Sequence, residues 1–125
     1  MLFLHSAMAQ PAALGVFTNN ADVGATKTAG KTSYDPDKQS YTISGSGQNI
    51  WSQKDEFQYA YRKMTGDFIL RANVAFVGEG VDPHRKIGWM VRHSLEVNSP
   101  CVSAAVHGDG LVSLQFRENP QSDMD

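Results

Sequence analysis

The sequence predicts an all-β protein folded as an antiparallel sandwich. Almost every apolar stretch alternates with period two instead of 3.6, and turn residues interrupt these stretches at short intervals. There is no repeat, low-complexity tract or heptad. A chain of 125 residues with 41% hydrophobic residues is long enough for one core and leaves little room for a second domain.

The turn signals are Asn19-Asn20, Asp35-Pro36-Asp37, Gly45-Ser46-Gly47, Thr65-Gly66-Asp67, Gly78 to Pro83, Asn98 to Pro100 and Gly108-Asp109-Gly110. Strands are therefore expected over 14–18, 31–34, 40–45, 56–62, 67–77, 86–93, 101–107 and 111–117. In the last hairpin, a three-residue Gly108-Asp109-Gly110 loop pairs His107 with Leu111, Val106 with Val112, Ala104 with Leu114 and Val102 with Phe116. A two-residue loop would pair Ala104 with Ser113 and mix the faces. The three-residue register predicts that Val102, Ala104, Val106, Val112, Leu114 and Phe116 are buried, together with Phe68, Leu70, Ala72, Val74, Phe76, Ile87, Trp89 and Val91.

The opposite face collects Arg71, Asn73, Gly88, Met90, Arg92, Ser103, Ala105, His107, Ser113, Gln115 and Arg117. Small residues let a ligand approach a sheet, and Arg, His and Gln offer directional hydrogen bonds. A solvated polar face is the ordinary alternative for an antiparallel sheet. We take Arg71, Asn73, Met90, Arg92, His107, Gln115 and Arg117 as candidate ligand-binding residues, with the aromatic Trp51 able to stack on a sugar ring.

Other chemistries find less support. The formal charge of -2 gives no electrostatic footprint for nucleic acid or an anionic membrane, and no apolar run reaches the length of a membrane span. A single cysteine, Cys101, excludes an intrachain disulfide and multi-cysteine metal clusters. The histidines His5, His84, His93 and His107 have neither HxH nor HExxH spacing, and no GxSxG elbow is present. The carboxylate pairs Asp35/Asp37, Asp55/Glu56 and Glu79/Asp82 sit at turns or strand starts, where acids are ordinarily solvated. Calcium binding by such loop acids with Asp109 lacks the spacing of a known loop. No catalytic residue, metal ligand or cofactor is assigned.

At the start of the chain, Ala7-Met8-Ala9 followed by Gln10 has the small-x-small pattern of a signal-peptidase site. Residues 1–9 thus read as the tail of an export signal, 10–117 as the sandwich domain and 118–125 as a polar tail.

A family resemblance rests on Gly15-Val16-Phe17-Thr18-Asn19-Asn20-Ala21-Asp22-Val23-Gly24, Tyr41 to Trp51, Thr65-Gly66-Asp67-Phe68, His84 to Arg92 and His107-Gly108-Asp109-Gly110-Leu111. Together these resemble the concanavalin A-like lectin/glucanase superfamily, in the exported bacterial branch that includes regulation-of-enolase domains and modules attached to TolB-like β-propellers. The resemblance covers about residues 14–117. It implies a jelly roll with a curved sheet, here truncated at its C-terminal side, in a family whose domains bind carbohydrate or pack on a neighbouring domain. The expected function is a noncatalytic, periplasmic or extracellular binding module with a glycan or polar small ligand. The alternatives are a glycoside-processing enzyme of sandwich fold, whose acid/base pair is partly missing from this stretch of chain or drawn from Asp55, Glu56 and Asp109, and a docking domain for an attached propeller.

Overall fold

The computed structural model describes residues 13–80 and 82–125. The export-signal reading of residues 1–9 lies outside these. Every strand pair in the described residues is antiparallel, and the fold is all-β and sandwich-like. In chain order the strands are β1 (Asn19–Val23), β2 (Lys31–Asp35), β3 (Ser40–Ser44), β4 (Ile50–Trp51), β5 (Lys54–Asp55), β6 (Phe57–Tyr61), β7 (Lys86–Arg92), β8 (Cys101–His107) and β9 (Val112–Arg117).

β2 and β3 form a hairpin because Asp35 builds its own turn. Its Oδ1 accepts the N–H groups of Asp37 and Lys38 at 3.0 and 3.2 Å, while Pro36 presets the backbone. β1 pairs with β6, so Asn19 and Asn20 are strand residues and the expected strand over 14–18 is displaced. Its turn prediction failed because pairing with Tyr61 and Ala60 satisfies a backbone that two asparagines alone would bend. The amide of Gln58, oriented to donate to Asp22 and accept from Thr32, ties β6 to β1 and β2. The two-residue strands β4 and β5 were not expected from the pattern, being too short to show a period.

β7, β8 and β9 form a three-stranded meander with β8 in the middle. The last hairpin has the expected register: Val106 faces Val112, Ala104 faces Leu114 and Val102 faces Phe116. The His107 N–H donates to Leu111 O at 2.8 Å, and Gly110 takes the left-handed conformation with φ 91°.

Burial of this sheet is the reverse of the expectation. Cys101, Ser103, Ala105, His107, Gln115 and Arg117 are buried, whereas Leu114 is 70% and Val112 is 72% exposed, with Val102, Val91 and Phe116 also open. The pleat parity is right and the inward side is wrong. Behind the Met90–Arg92 end of the polar face lies β6, whose Phe57, Tyr59 and Tyr61 share one parity: Phe57 meets Tyr59 edge-on at 5.5 Å between centroids, and Tyr59 stacks on Tyr61 at 5.4 Å. The Tyr59 hydroxyl donates to Met90 O at 2.9 Å, and the Arg92 guanidinium lies over the Phe57 ring at 5.2 Å. Arg92 and Arg117 find Asp55 as a partner instead of water, so their end of the face is buried despite its composition.

The expected strand over 67–77 is also corrected. This segment has no ladder partner among the described residues, and Ile69 and Val77 are 88% and 93% exposed. Its alternation survives in part: Phe68 and Leu70 approach Trp89, Val91, Val102 and Ala104 across a gap of about 260 Å³. Period two is a property of the side chains, whereas a strand also needs a neighbouring backbone to accept its hydrogen bonds. Beyond β9 the polar tail turns at Asn119–Ser122, buries Met124 and pairs Asp125 with Phe116 at 2.9 and 3.0 Å.

Gln115 carries a prediction of its own. It is buried, and its Oε1 has no hydrogen-bond partner among the described residues. Replacing a buried polar group that lacks a partner by an apolar one of similar shape removes a desolvation cost. Gln115→Met is therefore expected to leave stability unchanged or raise it by about 1 kcal/mol, measured by chemical denaturation. A loss of stability would show that the amide is satisfied in solution.

Candidate functional site

The eight candidate residues fall into separate places. At one end of the inner sheet face, Arg92 and Arg117 converge on Asp55, which is fully buried. Arg117 binds the carboxylate in a fork, Nη1 to Oδ2 at 2.9 Å and Nη2 to Oδ1 at 2.8 Å. Its remaining donors go to Ser52 O at 3.2 and 2.7 Å and to Ser99 O at 3.1 Å. Arg92 donates from Nη1 to Asp55 Oδ2 at 3.3 Å and from Nε to Ser94 O at 2.6 Å, and its Nη2 reaches Glu96 O. Met90 sits beside it, with Sδ 3.3 Å from Arg92 Nη1.

This cluster knits the fold. Arg92 folds the 93–100 connection over the sheet, where Ser99 is buried and its hydroxyl accepts the Ser94 N–H at 2.9 Å. Asp55 donates its own N–H to Val97 O at 2.8 Å, closing the connection onto β5. The hydrogen bonds that the Arg117 guanidinium donates to Asp55 hold it above its ordinary pKa, against the effect of burial. Burial, with the Asp55 carboxylate next in effect, raises the pKa of the neighbouring Cys101 thiol and makes it a poor nucleophile. Asp55 is thus no solvated turn acid. Two cations of the inner face need a counter-charge, and Asp55 shares the parity of Phe57, Tyr59 and Tyr61, a signal that was present in the sequence.

His107 lies at the other end of β8. It is buried, its Nε2 shares a 3.1 Å hydrogen bond with Ser113 Oγ, and its Nδ1 has no partner. A nucleophilic serine would need its histidine oriented by a third group on that free nitrogen, and none is present among the described residues. Arg92, His107, Gln115 and Arg117 therefore do not open toward a ligand as expected: His107, Gln115 and Arg117 are buried, and the Arg92 guanidinium is held between Asp55 and the Phe57 ring.

Arg71 and Asn73 stand elsewhere, on the extended 67–77 segment. With Leu70, Ala72 and Trp89 they line an open cleft of about 660 Å³ on the outer side of the sheet. Trp89 is half-buried and is supported from behind by Phe17 at a centroid distance of 6.2 Å, which in turn packs edge-on against Tyr41 at 5.0 Å. The sequence reading placed Trp89 in the core and missed it as a cleft residue. Trp51 is 48% exposed on β4 and does not line this cleft.

Glu56 and Asp109, the other two acids considered for catalysis, are engaged. Glu56 is paired with Lys54 Nζ at 2.7 Å and accepts the Gln48 N–H at 3.1 Å, and these bonds hold its carboxyl below the usual carboxylate range. Asp109 Oδ1 accepts the Leu111 N–H at 3.0 Å. Among the described residues no group of three or more His, Cys, Asp or Glu could hold a metal ion. Compared with known proteins, the chain matches no family model, no curated protein and no solved structure.

Proposed function

We propose that the chain is a noncatalytic binding module of an exported protein and takes a carbohydrate in the open cleft at Trp89. The observation that carries this reading is the cleft's composition: an indole backed by Phe17, with Arg71 and Asn73 on the facing segment. An aromatic face suits the C–H face of a sugar ring, while a guanidinium and an amide suit its hydroxyls. The superfamily resemblance and the Ala7-Met8-Ala9 motif are consistent with it. A glycosidase needs one free carboxylate and one protonated partner across a cleft. Asp55 is bound by two arginines, Glu56 by Lys54, and Asp109 by its own turn, so this geometry favours binding over catalysis.

A second reading, packing on a neighbouring domain such as an attached propeller, draws on a different observation: the outward apolar row Val102, Val112, Leu114 and Phe116.

The binding reading is tested on a glycan array followed by calorimetry. Arg71→Ala, at an exposed position, is expected to weaken binding of a captured glycan about tenfold without changing the melting temperature, consistent with a lost charge-assisted hydrogen bond. Trp89→Ala should abolish it. Capture of no glycan, or unchanged affinity in both variants, would leave the packing reading in its place.

A further inference from the structure

We propose that His107 is an acid-sensitive latch: uncharged, it lets the 82–86 loop close on the tip of the last hairpin, and once protonated it releases that loop. The contacts at this end of the sheet are few and interdependent. Gly108 N–H donates to Arg85 O at 2.9 Å and Asp109 N–H to Pro83 O at 3.1 Å, so the loop and the turn are zipped through their backbones. Asp82 holds the loop in shape by accepting the His84 N–H at 2.8 Å. The fit is tight, since a Cβ added to Gly108 would lie 2.8 Å from Arg85 Cγ and 3.0 Å from Asp82 O. His107 sits directly under this seam, opposite Lys86 in the register.

A proton on His107 has no good place here. The ring is 5% exposed, and the unpartnered Nδ1 would become a buried N–H donor without an acceptor among the described residues. The facing charges are mostly of one sign. Lys86 on β7 and His84, whose ring lies edge-on at 6.3 Å, oppose the charge, and Arg85 adds a third basic group to the loop. Asp109 in the turn favours it, and Asp82 is engaged with the His84 N–H of its own loop. Burial comes first in lowering the His107 pKa, with Lys86 next.

The sign follows. A histidine whose folded pKa lies below its unfolded value of about 6.5 binds more protons in the open or unfolded state. Its contribution to closure is complete above that pH and is lost as pH falls from there toward the folded value.

Hydrogen exchange of the full chain between pH 7.5 and 5, corrected for the intrinsic rate, tests the latch. Protection of the Gly108 and Asp109 amides is expected to fall about tenfold for each unit by which the folded pKa lies below the unfolded one, while the β1 and β6 amides hold. His107→Gln should flatten that dependence and His84→Gln should leave it. Should His107→Gln fail to fold, the wild-type ring titration followed by NMR decides, with a midpoint below 6.5 expected. A midpoint at or above 6.5, pH-independent protection, or a dependence that follows His84 would overturn the proposal.

Discussion

Asp55→Ala is expected to unfold the domain under conditions where the wild-type chain is native. The carboxylate is fully buried between two guanidinium groups whose side chains are 2% and 0% exposed. Removing one member of a buried ion pair costs about 3–5 kcal/mol, because the partner is left charged and unpaired. Here two partners are left. Against a typical stability of about 5–15 kcal/mol, that loss removes most of the margin. Arg117→Met should cost more than Arg92→Met, since Arg117 makes five hydrogen bonds, two of them to the carboxylate, and crosses from β9 to the β4–β5 turn. Urea denaturation reads these differences. A shift in midpoint worth less than about 1 kcal/mol for Asp55→Ala would mean that the cluster is hydrated in solution.

The second large effect concerns the outer face. Val91, Val102, Leu111, Val112, Leu114 and Phe116 are each between 39% and 72% exposed on one side of the meander or at its tip. Together with Phe68 they present an apolar patch on the order of several hundred Å², more than monomeric proteins commonly leave open. A stable interface takes about 800 Å² from each partner, so two copies facing each other come close to that size. The isolated chain is expected to self-associate, with a size that rises with concentration in sedimentation equilibrium. The double substitution Val112→Lys and Leu114→Lys should restore a monomer with little change in melting, since both side chains are already in water. A wild-type chain that stays monomeric at high concentration would show that the 67–77 segment covers the face in solution.

How far the fold could be read from the sequence differs from element to element. The last hairpin was legible to the residue because Gly108-Asp109-Gly110 sets the loop and the pleat then determines every pairing from Val106–Val112 to Val102–Phe116. The β2–β3 hairpin was legible for the same reason, from Asp35-Pro36-Asp37. The 67–77 segment was not, since its alternation is as regular as that of β8 and differs in having no partner among the described residues.

The candidate site was less legible. Arg71 and Asn73 do line a cleft, but Trp89, which gives the cleft its aromatic wall, had been assigned to the core by the same alternation.

Composition and periodicity by themselves determined an all-β chain, its principal turns, and which residues share a face. These are local properties, decided by the pleat and by backbone preferences over a few residues. Tertiary structure alone decided which face is inside. Hydrophobicity favoured burying Val102, Val112 and Leu114, yet the β6 aromatics and the Asp55 carboxylate lie against the polar side, where they satisfy Arg92 and Arg117 at close range. A polar face whose charges are paired across more than 35 residues of chain, as Arg92 is with Asp55, can be buried at a cost that no short window of sequence reveals.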